Sequence, residues 1–179
     1  MSMRCLFAIS LAMPSLPMCC IQTADTTPEL RLRRLLWRDG YRFRLSDRSL
    51  PGKPDIVLPR WKAVIFVNGC FWHAHEQCRY FKLPGTRVEF WSSKLQANAA
   101  RGKRATEECR ALGWRTITIW ECALRKNPTA AAFLAGSAIR GKWPSANVVI
   151  RMAVDGHGLL IEAAGGVHRR AGNRVKRSR

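Results

Sequence analysis

The chain has 179 residues, enough for one domain to bury a real core without disulfide staples. Its 31 lysines and arginines against 12 aspartates and glutamates leave a formal charge of +19, most of it solvent-facing, so a polyanion is the expected partner. No apolar run of about 18 residues could span a bilayer, and seven cysteines, odd in number and unevenly spread, fit a disulfide framework poorly; nucleic acid is favoured over a membrane.

Residues 1–20 begin with a basic residue and a short apolar run, as a secretory signal does. Pro14 and Pro17 interrupt that run, no small-x-small cleavage site follows, and later thiols and histidines suit a reducing compartment, so a cytoplasmic protein is expected. Residues 26–40 predict a helix, with Thr27 as N-cap, Pro28 at the first helical position, Leu32, Leu35 and Leu36 on one stripe and Gly40 as the stop. "YRFRL" (41–45) alternates as a strand, "SLPGKP" (49–54) is a turn, and "DIVL" (55–58) and "KAVIFV" (62–67) read as buried strands, the first opened by Asp55. "TRVE" (86–89) has the form of a capping box and predicts a long helix from there to Leu112, stopped by Gly113. "WRTITIW" (114–120) predicts a strand that delivers Glu121 and Cys122, and Pro128 to Arg140 a further helix. Signals weaken from residue 141, and the arginine-rich 168–179 contains no acid and reads as disordered. The order predicts an α/β domain with a mixed sheet flanked by helices.

Chemistry concentrates in "NGCFWHAHEQC" (68–78). Cys70, His75 and Cys78, with Cys122 as a fourth ligand from a later strand, form the thiol and imidazole set zinc prefers in closed structural sites. By spacing, His73 could stand in for His75. A second constellation begins at "PGKPD": Asp55 at a strand start is where many nucleases place a magnesium ligand, although the acid-x-lysine that usually follows on the next strand is missing. Glu29, near the start of the first helix, and His73, a base that titrates near neutrality, could fill those roles, with magnesium held by Asp55 and a main-chain carbonyl at Val67. Considered singly, Glu29 also reads as a helix-dipole carboxylate, Asp55 as a turn residue and His73 as a loop histidine.

Together, "DTTPELRLRRLL", "LPGKPDIVLP", "VIFVNGCFWHAHEQC", "TRVEFWSSKLQANAARGKR" and "LGWRTITIWECALR" closely resemble the very-short-patch-repair endonucleases over about Asp25 to Arg125. That family consists of bacterial enzymes that nick DNA at thymine–guanine mismatches left by deamination of 5-methylcytosine. The resemblance implies a restriction-endonuclease-like fold with a structural zinc, and a bacterial protein at the nucleoid. At matching positions it implies Asp55 and the Val67 carbonyl as magnesium ligands, Glu29 acting through water and His73 as general base. It leaves His75 with Cys70, Cys78 and Cys122 for zinc. It further implies that Phe71 and Trp72 wedge into the duplex from one groove and Met18 from the other, and that Trp91, Lys94 and Asn98 contact DNA around the mismatch. The implied partners are duplex DNA with a T/G mismatch, a cytosine-5 methyltransferase of the kind found in restriction–modification systems, and other repair proteins.

The chain departs from the family at Gly102, where members carry an aspartate that pairs with the catalytic histidine, and before Met18, where a basic arm is replaced by an apolar segment. The expected division is an atypical arm (1–24), an endonuclease domain (25–140) and a basic extension (141–179). The alternative is a zinc-stabilised mismatch-binding or general nucleic-acid-binding protein without nuclease activity, motivated by Gly102 and by the charge.

Overall fold

The computed structural model describes residues 25–142, 145–152, 158–163 and 166–171. Helix α1 (Thr27–Arg38) starts behind Thr26 as N-cap, with Pro28 in the first turn, where its missing N–H leaves nothing unbonded. Leu32 and Leu36 lie one turn apart and are fully buried, and the chain leaves the helix through Gly40 at φ +86°.

The strands form one seven-stranded sheet in sequence order: β1 (Arg44–Leu45), β2 (Ile56–Leu58), β3 (Ala63–Asn68), β4 (Arg115–Trp120), β5 (Asn147–Met152), β6 (Leu159–Ala163) and β7 (Gly166–Ala171). Neighbours pair antiparallel except β3 with β4 and β4 with β5, which are parallel. Parallel neighbours need crossovers. Helix α2 (Val88–Ala111) lies between β3 and β4 in the chain, and α3 (Glu121–Lys126) and α4 (Pro128–Ile139) between β4 and β5. Alternation along the strands sorts side chains into two layers: Ile56, Leu58, Ile65, Ile117 and Ile119 join Leu32, Leu36 and the α4 alanines, whereas Val57 and Val64 meet Cys109 of α2. The sheet is thus mixed and flanked by helices, as expected.

Local differences have local causes. Of "YRFRL" only Arg44 and Leu45 pair, because Tyr41 turns inward to donate its hydroxyl hydrogen to the Gly136 carbonyl at 3.1 Å. The box expected at "TRVE" does not form: Arg87 adopts the left-handed conformation (φ 52°) and is itself the N-cap, so α2 begins at Val88. Cys122 sits in the first turn of α3 rather than on a strand. Past residue 141, where sequence signals weaken, β5 to β7 extend the same sheet, and His168–Ala171 belong to β7. Among the described residues no helix is long and apolar enough to cross a membrane.

One contact sets how the turn before β2 meets α2. Gly52 has φ +71°, and a Cβ there would lie 2.3 Å from the Ala105 Cβ. Only glycine permits this approach, which seats the turn leading to Asp55 on the long helix.

Candidate metal and nucleic-acid site

Strands β3 and β4 run parallel and end level, Asn68 beside Trp120, so the segments that follow them are delivered to one end of the sheet. After β3 the chain turns sharply, with Ala74 and Gln77 in left-handed conformations and the His75 N–H donating to the Cys70 carbonyl at 3.0 Å. After β4, Glu121 accepts the Cys70 N–H at 3.2 Å, joining the loop to α3.

The ligand atoms of Cys70, His75, Cys78 and Cys122 all lie within 4.8 Å of one another. Zinc binds sulfur at about 2.3 Å, so two ligands of one ion stand no more than about 4.6 Å apart, and the cluster needs little closure to hold one. The His75 ring stacks on Trp120 with centroids 3.8 Å apart; its Nδ1 is 3.7 Å from the Cys122 sulfur, and its Nε2 is buried without a partner among the described residues. A hydrogen bond from the Cys70 thiol, with His75 and the Met152 N–H, pulls the Cys122 thiol down to about 4, and the same bond pushes Cys70 up. A thiolate among thiols and an unsatisfied imidazole fits a soft cation. The tertiary structure brings His75 into this cluster and leaves His73 outside it.

The carboxylates lie beside the other end of this loop. Asp55 precedes β2, and its Oδ2 accepts the Val67 N–H of β3 at 2.7 Å. Burial, reinforced by the nearby Glu29 carboxylate, raises its carboxyl to about 6. Glu29 is buried in the first turn of α1, where it accepts the Asp25 N–H at 3.0 Å, the Thr26 hydroxyl at 2.7 Å and the Arg33 guanidinium at 3.0 Å. Two desolvated acids that repel each other fit a divalent cation, which would relieve that repulsion.

Burial first, and then the Arg101 charge, keep His73 below its ordinary value, so its ring stays neutral and able to accept a proton. Its ring meets Trp120 edge-on, and on the α2 side it faces Gly102. Among the described residues no carboxylate hydrogen-bonds it. Phe71, Trp72 and Trp91 form one half-buried aromatic cluster with ring centroids 5.1 to 6.3 Å apart. Lys94 lies 5.7 Å over Trp91, and Asn98 donates to the Trp72 carbonyl at 3.3 Å, fastening the rings to α2. Met18 lies outside the described residues. Two neighbours escaped the sequence reading. Trp120 was read only as a strand residue, and the one signal for Arg33 was its spacing of four from Glu29.

An α/β protein is thereby defined whose sheet carries, at one end, a thiol–histidine cluster able to bind a metal, a buried acid beside a half-buried one, and a cationic aromatic surface. A family model described as DNA mismatch endonuclease Vsr matches residues 11–79. The chain is 50% identical over 105 residues to the DNA mismatch endonuclease Vsr of Escherichia coli (strain K12), covering 59% of this chain and 67% of that protein. It is 47% identical over 104 residues to the Type II nicking enzyme V.XorIIP of Xanthomonas oryzae pv. oryzae, covering 58% of this chain and 76% of that one. It is 37% identical over 105 residues to the Type II nicking enzyme V.NmeAIP of Neisseria meningitidis, covering 59% and 74%. The chain belongs to the Vsr DNA mismatch endonuclease family.

Proposed function

We propose that this chain is a magnesium-dependent DNA endonuclease with a restriction-endonuclease-like core and a structural zinc. It nicks the thymine-containing strand at T/G mismatches and leaves a 5′-phosphate. The observation that carries this reading is that one loop supplies three of the four members of the thiol–histidine cluster, the aromatic pair and His73, and joins the strand whose Val67 bonds Asp55. Family membership supports it independently.

Asp55 and the Val67 carbonyl would hold magnesium, with Glu29 reaching it through water. When bound, the cation polarises the phosphate and acidifies water. His73, half-buried and neutral, accepts the proton of the attacking water. Phe71 and Trp72, with Met18 from the other groove, wedge between base pairs. Unstacking costs a few kcal/mol per step, so the wedge must be stiff, and zinc on Cys70, His75, Cys78 and Cys122 stiffens it. A wobble pair is cheaper to distort than its Watson–Crick counterpart, which supplies selectivity. Trp91, Lys94 and Asn98 hold the DNA around the mismatch. The substrate arises where a cytosine-5 methyltransferase, for example of a restriction–modification system, marks cytosines that later deaminate, in the bacterial cytoplasm at the nucleoid.

A second reading, mismatch binding without cleavage, is favoured by Gly102, which puts no side chain beside His73. End-labelled duplexes with T/G or T/A in varied contexts, incubated with protein and magnesium, separate the two. Nicking of the thymine strand only at T/G, lost in Asp55→Ala, supports the enzyme. Tight T/G-selective binding without cleavage supports the second reading.

A further inference from the structure

Arg33 is 7% exposed, whereas its helical neighbours Arg31 and Arg34 face solvent. A buried guanidinium is costly unless paired, and Leu32 and Leu36 already form the apolar stripe of α1, so helix packing alone does not call for an arginine here. Its partners do. Nη2 donates to Glu29 Oε2 at 3.0 Å and Nη1 to the Asp25 carboxylate, while Nε is buried without a partner among the described residues.

The effect on Glu29 is restrictive. Its carboxylate accepts from the Thr26 hydroxyl, the Asp25 N–H and Arg33, and a carboxylate offers about four acceptor sites, so its orientation is set while one site takes no donor among the described residues. The Arg33 charge reaches Asp55 too, favouring its ionised form while Glu29 opposes it.

We propose that Arg33 is a positioning residue for phosphodiester cleavage: its forked guanidinium, bonded to Glu29 and Asp25 at once, fixes the orientation of the Glu29 carboxylate so that its remaining acceptor site can hold a water molecule. The proposal rests on the reading of Asp55 and Glu29 as a magnesium site.

The test is a double-mutant cycle on the zinc-loaded full chain, read as single-turnover nicking of pre-bound T/G duplex in magnesium. Because Arg33 acts through Glu29, Arg33→Met lowers the rate about tenfold in the wild-type background and less than about twofold in Glu29→Gln. Arg33→Lys, which keeps the charge but loses the fork, recovers part of the rate. Calcium titrated calorimetrically in the absence of DNA binds wild type and Arg33→Met alike, since Asp55 and the Val67 carbonyl remain. Equal losses in both backgrounds, undiminished nicking by Arg33→Met, or loss of its calcium binding each overturn the positioning role. If Arg33→Met fails to fold, the same cycle with Arg33→Lys decides on the same criterion of unequal losses. A wild-type chain that neither binds calcium nor nicks overturns the magnesium reading, and the role of Arg33 with it. Wild-type activity with additive variants overturns the role of Arg33 alone.

Discussion

A Cβ placed on Gly102 would stand 3.3 Å from Nδ1 of His73, so the long helix presents bare backbone to this imidazole. Gly102→Asp puts a carboxylate beside the ring after a shift of a few tenths of an ångström. It should raise single-turnover nicking about tenfold or more, because a carboxylate orients the ring and stabilises its protonated form. Burial and Arg101 hold His73 low, and a carboxylate favours the charged form, so the acid limb of the pH–rate profile should move to higher pH. Gly102→Ala is the control: it removes a helix-glycine penalty of about 1 kcal/mol yet offers no partner. A gain in rate equal to that of Gly102→Asp would assign the effect to helix stiffness.

Asp55→Asn should abolish nicking and yet stabilise the metal-free protein. The folded carboxyl is raised to about 6 from an unfolded value of 3.8, so the fold prefers the neutral form. That preference is fully felt below the unfolded value and is lost as pH rises through the folded one. Above it, ionised Asp55 costs roughly 3 kcal/mol at 1.36 kcal/mol per pH unit, a cost the amide avoids while still accepting the Val67 N–H. Thermal melts in chelator at about pH 4 and about pH 8 check this: the variant should gain mainly at the higher pH, and a uniform gain would contradict it.

Zinc removal should loosen the loop before the sheet. The ligands join the 70–78 loop to α3, while the main core lies among α1, α4 and the strands. Cys122→Ser should lower bound zinc, measured by atomic absorption, from one ion per chain, and abolish T/G selectivity while far-UV circular dichroism is largely kept. Complete unfolding would show that the cluster organises the whole domain.

Trp72→Ala should act on selectivity more than on affinity. Trp72 stands beside Phe71 and Trp91 in a cationic setting, so nonspecific DNA affinity, carried by phosphate contacts, should change little. The preference for T/G over T/A duplex, measured by competition binding in calcium, should fall about tenfold or more, the scale of a truncated aromatic anchor. An equal loss on both duplexes would place the ring outside mismatch sensing.

Much of the architecture was legible because it depends on local pattern. Apolar spacing marked α1, short apolar runs marked β2 and β3, and alternation marked β4; the side chains of these strands divide between two layers. Several motifs in one order also made the family legible, since no single short motif is specific. The strands after residue 141 were harder to see: β5 alternates buried and half-buried residues in only six positions and pairs with β4, remote in sequence. The capping box at "TRVE" misled because a motif reports a preference, and the backbone at Arg87 took another course.

The sequence by itself determined the inventory: thiols and histidines in one short stretch, an acid at a strand start, aromatic rings between them, and a large positive charge. Only the tertiary structure decided which groups meet. Spacing favoured His75 over His73 only mildly, and the stacking of His75 on Trp120 beside Cys122 separates them. The family resemblance marked Gly102 as a departure, and the packing of α2 turned it into a bare surface against His73. Arg33, one of many arginines, became distinct only through burial between two acids. The reason is common to all three: residue type and spacing follow the chain, whereas desolvation and charge pairing depend on neighbours brought from elsewhere in it, and those set each group's protonation and orientation.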